Sequence, residues 1–247
     1  MERHFASCVA LIRDHSGTPY GAGFLIDRRH LLTCAHVVNA SLGNDPREPA
    51  IPNAAISMIL PFAGREPLTG RVAVWHPMIE YADREAERPC DMVVLRLDQD
   101  APRAARMARL RCGNRNGGQP VRCFGFPSRA GSAGQAAEAV TIAEDSTGLL
   151  HLRQPPGWEP AIDQGYSGSP VFDVVSNDVI GMIVAFEAGR GQGQAQLSYG
   201  EATWRLRQAW RGLSEPRPRL RRFVDRFSGG IQGERRRGNR RSPDQSG

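Results

Sequence analysis

The chain has 247 residues, is 40% hydrophobic and 23% charged, and carries a formal charge of +6. That composition belongs to a globular protein with a sizeable core and excludes a disordered chain; no apolar run approaches the roughly 18 residues of a membrane helix. The charge is unevenly spread: thirteen arginines against four acids in residues 203–247 give +9, while nineteen arginines against twenty-two acids in residues 1–202 give −3. A mildly acidic body argues against a nucleic-acid-binding fold with a basic face and leaves a basic appendage.

In chain order, the opening MERHFASCVALIRDHSG lacks a basic segment followed by an apolar stretch and a small-residue cleavage site, so the expected location is cytoplasmic. Twelve short apolar or β-branched runs follow, at 8–12, 23–26, 31–33, 55–60, 71–75, 92–97, 121–126, 139–143, 149–152, 169–172, 179–186 and 194–199. Turn formers bound each run, which marks them as strands. So many short strands with few helical patterns imply an all-β barrel or sandwich. A helix is expected at 203–211, with Thr203 as its cap and Trp204 and Trp210 as packing residues; Pro216 and Pro218 end it. A short amphipathic stretch at 220–227 precedes a Gly-, Arg- and Ser-rich tail expected to be disordered. The five cysteines are odd in number and lack metal-ligand spacing. They read as free, mostly buried thiols, and no metal or other cofactor is implied.

Three stretches carry residues capable of covalent chemistry. Leu31-Leu32-Thr33-Cys34-Ala35-His36 ends an apolar strand in a histidine, Asp91 immediately precedes the strand at 92–97, and Ser167 lies in the glycine-flanked Asp163-Gln164-Gly165-Tyr166-Ser167-Gly168. A serine hydroxyl needs a neighbouring base to act as a nucleophile, an imidazole can be that base, and a carboxylate can fix the imidazole tautomer. The glycines allow the Gly165 and Ser167 amides to converge on one point, an oxyanion hole. All six histidines precede Ser167, which excludes the α/β-hydrolase order, and the sequence around Ser167 lacks the second glycine of a nucleophile elbow. His76 beside Pro77 is the competing base, and Asp83 the competing acid. Cys34 and Cys90 read as small buried residues.

The chain order His36, Asp91, Ser167 resembles that of trypsin-like (chymotrypsin-fold) serine proteases. Thr33-Cys34-Ala35-His36 is similar to the family's Thr-Ala-Ala-His, Asp91-Met92-Val93-Val94-Leu95 to its Asp-Ile-Ala-Leu-Leu, and Gly165-Tyr166-Ser167-Gly168-Ser169-Pro170 to its Gly-Asn/Asp-Ser-Gly-Gly-Pro. Gly125-Phe126-Pro127 and Val179-Ile180-Gly181-Met182-Ile183 also match. The likeness spans about residues 5–200 and is nearest the bacterial, disulfide-free type, including the high-temperature-requirement proteases.

The resemblance implies two six-stranded antiparallel Greek-key barrels, at about 5–105 and 115–200, in a protease domain of residues 1–212 closed by the helix at 203–211, with a tail at 213–247. It implies a serine endopeptidase acting on protein or peptide substrates. Ala161, Ile162 and Gln164 would form one wall of the pocket, and Ile183, Val184, Ala185 and Phe186 the other. Ala161 at the pocket base favours a small or apolar side chain before the cut, although Asp163 and Glu187 lie close in sequence. Ser169 departs from the family's second glycine. Tyr166 replaces the aspartate that pairs with a new N-terminus in zymogen-activated members, so activation by N-terminal cleavage is not expected. The chain resembles effector proteases of bacterial conflict systems, with an activating sensor protein or domain as partner. The alternatives are a silent pseudoprotease that grips peptide strands, and a nucleic-acid-associated protein acting through its Arg-rich tail.

Overall fold

Twelve strands and two short helices build the structure, a computed structural model that describes residues 2–78, 90–113, 117–187 and 196–213. The strands are β1 Val9–Arg13, β2 Pro19–Leu25, β3 His30–Thr33, β4 Ile56–Leu60, β5 Gly64–His76 and β6 Met92–Leu97, then β7 Pro120–Gly125, β8 Gln135–Glu144, β9 Leu149–Gln154, β10 Pro170–Asp173, β11 Val179–Glu187 and β12 Gln196–Ala202. Helix α1 is Ala35–Ser41 and α2 is Thr203–Ala209. Each set of six strands closes into an antiparallel barrel, in the orders β1-β2-β3-β6-β5-β4 and β10-β11-β12-β9-β8-β7. Closure leaves no free sheet edge.

The burial patterns explain why these runs are strands. Val9, Ala10, Leu11 and Ile12 are all buried, and β6 buries every residue except Arg96. In small barrels, with neighbours on both faces, strands read as near-continuous apolar runs. All twelve expected strands are present. Several are longer than the apolar runs that announce them: β2 starts at Pro19, β5 at Gly64 and β8 at Gln135. Their added ends are polar or glycine-rich, and they are held by pairing, as Gly125 with Gln135 and Gly64 with Leu60 show. Irregular registers within β5 and β8 let these long strands bend around the barrels.

The core of the first barrel reaches into the second, while the rest of the second barrel closes on a cluster of its own around Val121, Leu152, Val171 and Ile183. The cluster that holds Leu11, Leu32 and Val94 of the first barrel also holds Phe124, Phe126, Phe172, Val179 and Met182 of the second. Before β1, Phe5 sets its ring edge-on to Phe124 at 6.3 Å and Phe172 at 5.2 Å, so the N-terminal turn straps the second barrel. Met1–Pro216 forms one compact unit.

Two helical details differ from expectation. α1 has no sequence announcement; with two valines and an asparagine among its few residues its intrinsic propensity is weak. It is fixed instead by burial of Val37 and Val38 and by a distant cap described below. α2 is not capped by Thr203. Ala202 holds the N-cap position without a side-chain bond, and the Thr203 hydroxyl donates to the Arg111 carbonyl at 2.7 Å. The helix ends at Ala209, because Trp210 is extended and its ring packs at 5.4 Å from that of His30. The stretch at 220–227 and the basic tail lie outside the described residues.

Candidate active site

β3 delivers His36 through the corner at Cys34, which is extended at φ −86° and ψ 147°, into the first turn of α1. Asp91 lies just ahead of β6, and β6 pairs with β3 from Thr33–Val93 to His30–Arg96. Sheet register therefore sets the two residues side by side. Asp91 Oδ2 lies 2.5 Å from His36 Nδ1, with the side chains 8% and 19% exposed. Asp91 Oδ1 accepts the Ala35 amide at 2.8 Å and the His36 amide at 3.3 Å. These are orphan donors of the first turn of α1. A carboxylate from far along the chain thus does the capping that Cys34 cannot do.

Ser167 precedes β10 in a turn held to both barrels. The Tyr166 amide donates to the Asp163 carbonyl at 3.2 Å across Gln164 and Gly165, and Gly165 has φ +101°. Positive φ at the third residue is the type II pattern. A β-carbon at Gly165 would lie 2.5 Å from the Phe126 carbonyl oxygen, and one at Gly168 (φ +81°) would lie 2.0 Å from that of Ala22. Only glycine fits either place. Among the described residues, no backbone carbonyl accepts the Gly165 or Ser167 amide. The Ser167 carbonyl accepts the Ala22 amide of β2 at 2.8 Å. Ser169, in place of a glycine, is fully buried and donates its hydroxyl to the Phe124 carbonyl at 2.9 Å.

One carbonyl ties the serine turn to the histidine corner. Ile183 O accepts the Gly168 amide at 2.8 Å and the Cys34 thiol at 3.3 Å. The residue after Ser167 and the residue two before His36 thus share an acceptor. Burial, reinforced by the Asp91 charge, pushes the Cys34 thiol far up, so it stays protonated and is no rival nucleophile. Cys34, His36 and Asp91 do bring potential metal-ligand atoms within 4.8 Å of one another. The thiol and the carboxylate are committed to hydrogen bonds, however, and the thiol would first have to lose a strongly held proton.

His76, the competing base, turns its Nε2 to the Ala209 carbonyl of α2 at 3.0 Å. Asp83 lies outside the described residues. The expected pocket residues divide. Ile162 and Ile183 are fully buried in the second-barrel core, so only their backbone can face a substrate. Ala161 and Val184 are half-buried, Gln164 and Ala185 are exposed, and Phe186 pairs with Ser198. Asp163 is taken by an ion pair with Arg129 at 2.6 Å. Nothing local in the sequence marks Arg129, because its partner lies beyond β8 and β9. A cavity of about 510 Å³ between Phe5, Phe62, Phe124 and Arg122 is lined by none of His36, Asp91 and Ser167.

A family model described as a trypsin-like peptidase domain matches residues 21–182. The chain belongs to the trypsin-like peptidase family. Its class of activity is that of a serine endopeptidase, which hydrolyses peptide bonds in proteins. No curated protein matches the sequence.

Similar solved structures have the same fold. One, from M. tuberculosis H37Rv, is a serine-to-alanine mutant in an inactive form; it is 18% identical, the alignment covers 87% of this chain and 91% of that one, and the TM-score is 0.57. Neuropsin, a serine protease of mouse brain, is 16% identical over 84% of this chain and 96% of its own, with a TM-score of 0.59. A serine endoprotease from Yersinia pestis is 15% identical over 86% of this chain and 66% of its own, with a TM-score of 0.57.

Proposed function

We propose that this peptidase cleaves its substrates through Ser167 as nucleophile, His36 as general base and Asp91 as the group that orients the base. The observation that carries the reading is the 2.5 Å contact between His36 Nδ1 and Asp91 Oδ2. It makes Nδ1 the protonated nitrogen and leaves the Nε2 lone pair free to accept a proton. The Ser167 hydroxyl gives its proton to Nε2 as its oxygen attacks the scissile carbonyl. Asp91 stabilises the imidazolium, which then returns the proton to the leaving amine. Water repeats the sequence on the acyl-enzyme and regenerates Ser167. The negative oxygen of each tetrahedral intermediate is received by the Gly165 and Ser167 amides. The type II turn, and the lack of a backbone acceptor for either amide among the described residues, support that role.

The preferred residue before the cut is small or apolar. Ala161 offers no charge at the pocket base, and the Asp163 carboxylate is neutralised by Arg129. The test is fluorophosphonate labelling together with a peptide-library cleavage profile. Wild type should be labelled at Ser167 and should cut after small or apolar residues. Ser167→Ala and His36→Ala should each lose on the order of 10⁶ in kcat. Labelling at another residue, or turnover surviving in Ser167→Ala, would overturn the assignment.

A further inference from the structure

The geometry points to Arg129 as a positioning residue that holds the oxyanion turn in its working form. Arg129 lies between β7 and β8. Its guanidinium directs three donors to separate targets: Nη1 to Asp163 Oδ2 at 2.6 Å, Nη2 to the Ala161 carbonyl at 3.1 Å, and Nε to Gln135 Oε1 at 3.2 Å. The fork grips the chain on both sides of Ile162, immediately ahead of the turn that ends in Tyr166. The same strip of backbone holds the turn from its other end. The Phe126 amide donates to the Gly165 carbonyl at 2.9 Å, and a β-carbon at Gly125 would lie 2.5 Å from the Tyr166 ring. Residues 125–129 thus splint residues 161–166 along their length.

The splint acts on the one peptide that matters. Type I and type II turns differ by rotation of the central peptide, here Gln164–Gly165. That rotation swings the Gly165 N–H away from the place where a substrate oxyanion would sit. A modest bias on residues 161–163 is enough to choose between the two forms. Arg129 and Asp163 are 44% and 29% exposed, so their pairing adds little to global stability. Its effect is directional: a planar fork reaches a carboxylate and a carbonyl together, which the single ammonium of a lysine cannot do. This inference deepens the reading of Ser167 as nucleophile and rests on it.

The experiment compares the full-length wild type with Arg129→Ala, Arg129→Lys and Asp163→Asn, using a peptide substrate, fluorophosphonate labelling and amide hydrogen exchange. Arg129→Ala should lower kcat about 10–100-fold, by partial loss of one oxyanion donor, with KM moving less than about threefold. Labelling should slow in parallel. Arg129→Lys should fall between the two, and Asp163→Asn should add little further loss when combined with Arg129→Ala. Exchange should quicken at least tenfold at the Tyr166 and Phe126 amides and stay unchanged in β10 and β11.

Wild-type kcat and exchange in Arg129→Ala, beside a dead Ser167→Ala, would overturn the proposal. So would a loss of kcat accompanied by faster exchange throughout both barrels, which would mark Arg129 as merely structural. If the wild type neither turns over nor labels, the Ser167 reading fails. The exchange at Tyr166 then decides by itself whether Arg129 holds the turn.

Discussion

Replacing Asp91 separates the two duties of one carboxylate. Oδ2 faces the His36 ring, while Oδ1 accepts two amides at the start of α1. In Asp91→Asn the side-chain oxygen must stay with the backbone amides, because those groups can only donate. The new NH₂ then faces His36 Nδ1, which must become an acceptor, so the ring proton moves to Nε2. A protonated Nε2 cannot take the Ser167 proton. The expected loss in kcat is on the order of 10⁴, about 5 kcal/mol of transition-state stabilisation. The α1 cap survives, so stability should fall by about 1 kcal/mol or less.

Asp91→Ala removes both duties. It strands the amide of buried Ala35 and weakens that of His36, at a cost of about 1–3 kcal/mol. For a domain of this size that lowers Tm by roughly 3–10 °C. The assay is kcat on a library-derived peptide, with thermal melting of the same preparations. Asp91→Asn retaining kcat within tenfold of wild type would refute the tautomer argument. Asp91→Asn melting as low as Asp91→Ala would refute the division of labour between the oxygens.

Two further outcomes follow from the buried and hydrogen-bonded groups. Of the five thiols only Cys112 is exposed, and burial pushes Cys8 up to about 12 and raises Cys34 and Cys123 as well. A disulfide reagent at pH 8 should therefore titrate one thiol quickly and the other four only in denaturant; two fast thiols would contradict the packing around the site. Burial by itself would raise the Asp145 carboxyl, but hydrogen bonds from Thr147, Leu149 and His151 outweigh it and hold the group below the usual range. Its contribution to stability is then present above the ordinary carboxylate range and lost as pH falls through the lowered folded value. Asp145→Ala should lower Tm most near neutral pH, with the gap to wild type closing on acidification; a gap that widened in acid would count against this account of the β8–β9 turn.

Much of this architecture is written locally. The strands stand out because their buried residues run together, as in β1 and β6, or alternate, as in β8 and β9, between turn formers, so one-dimensional reading suffices. The serine turn is legible for the same reason, since Gly165 and Gly168 sit beside the residue they expose. What escapes is held by partners far along the chain. α1 carries no signal because its cap, Asp91, comes from beyond β4 and β5. Thr203 looks like a helix cap until Arg111, from the segment ahead of β7, claims its hydroxyl. Arg129 is one arginine among 32 until the fold sets it against Asp163. Burial, too, can reverse a reading: Ile162, expected to face substrate, turns its side chain into the barrel.

The apolar seam between the two barrels has a consequence for how the enzyme comes into being. Phe124, Phe126, Phe172, Val179 and Met182 complete apolar surface that belongs equally to strands made long before them. A nascent chain that has emerged only to the end of β6 holds all six strands of its first barrel, but the apolar surface that these five residues cover is still open to water. The Ala22–Ser167 bond and the Ile183 carbonyl shared by Cys34 and Gly168 form across that same seam. The serine turn is therefore tied to the histidine corner only once both barrels are present. A chain cut short of β11 lacks the Ile183 carbonyl, and with it the acceptor that Cys34 and Gly168 share.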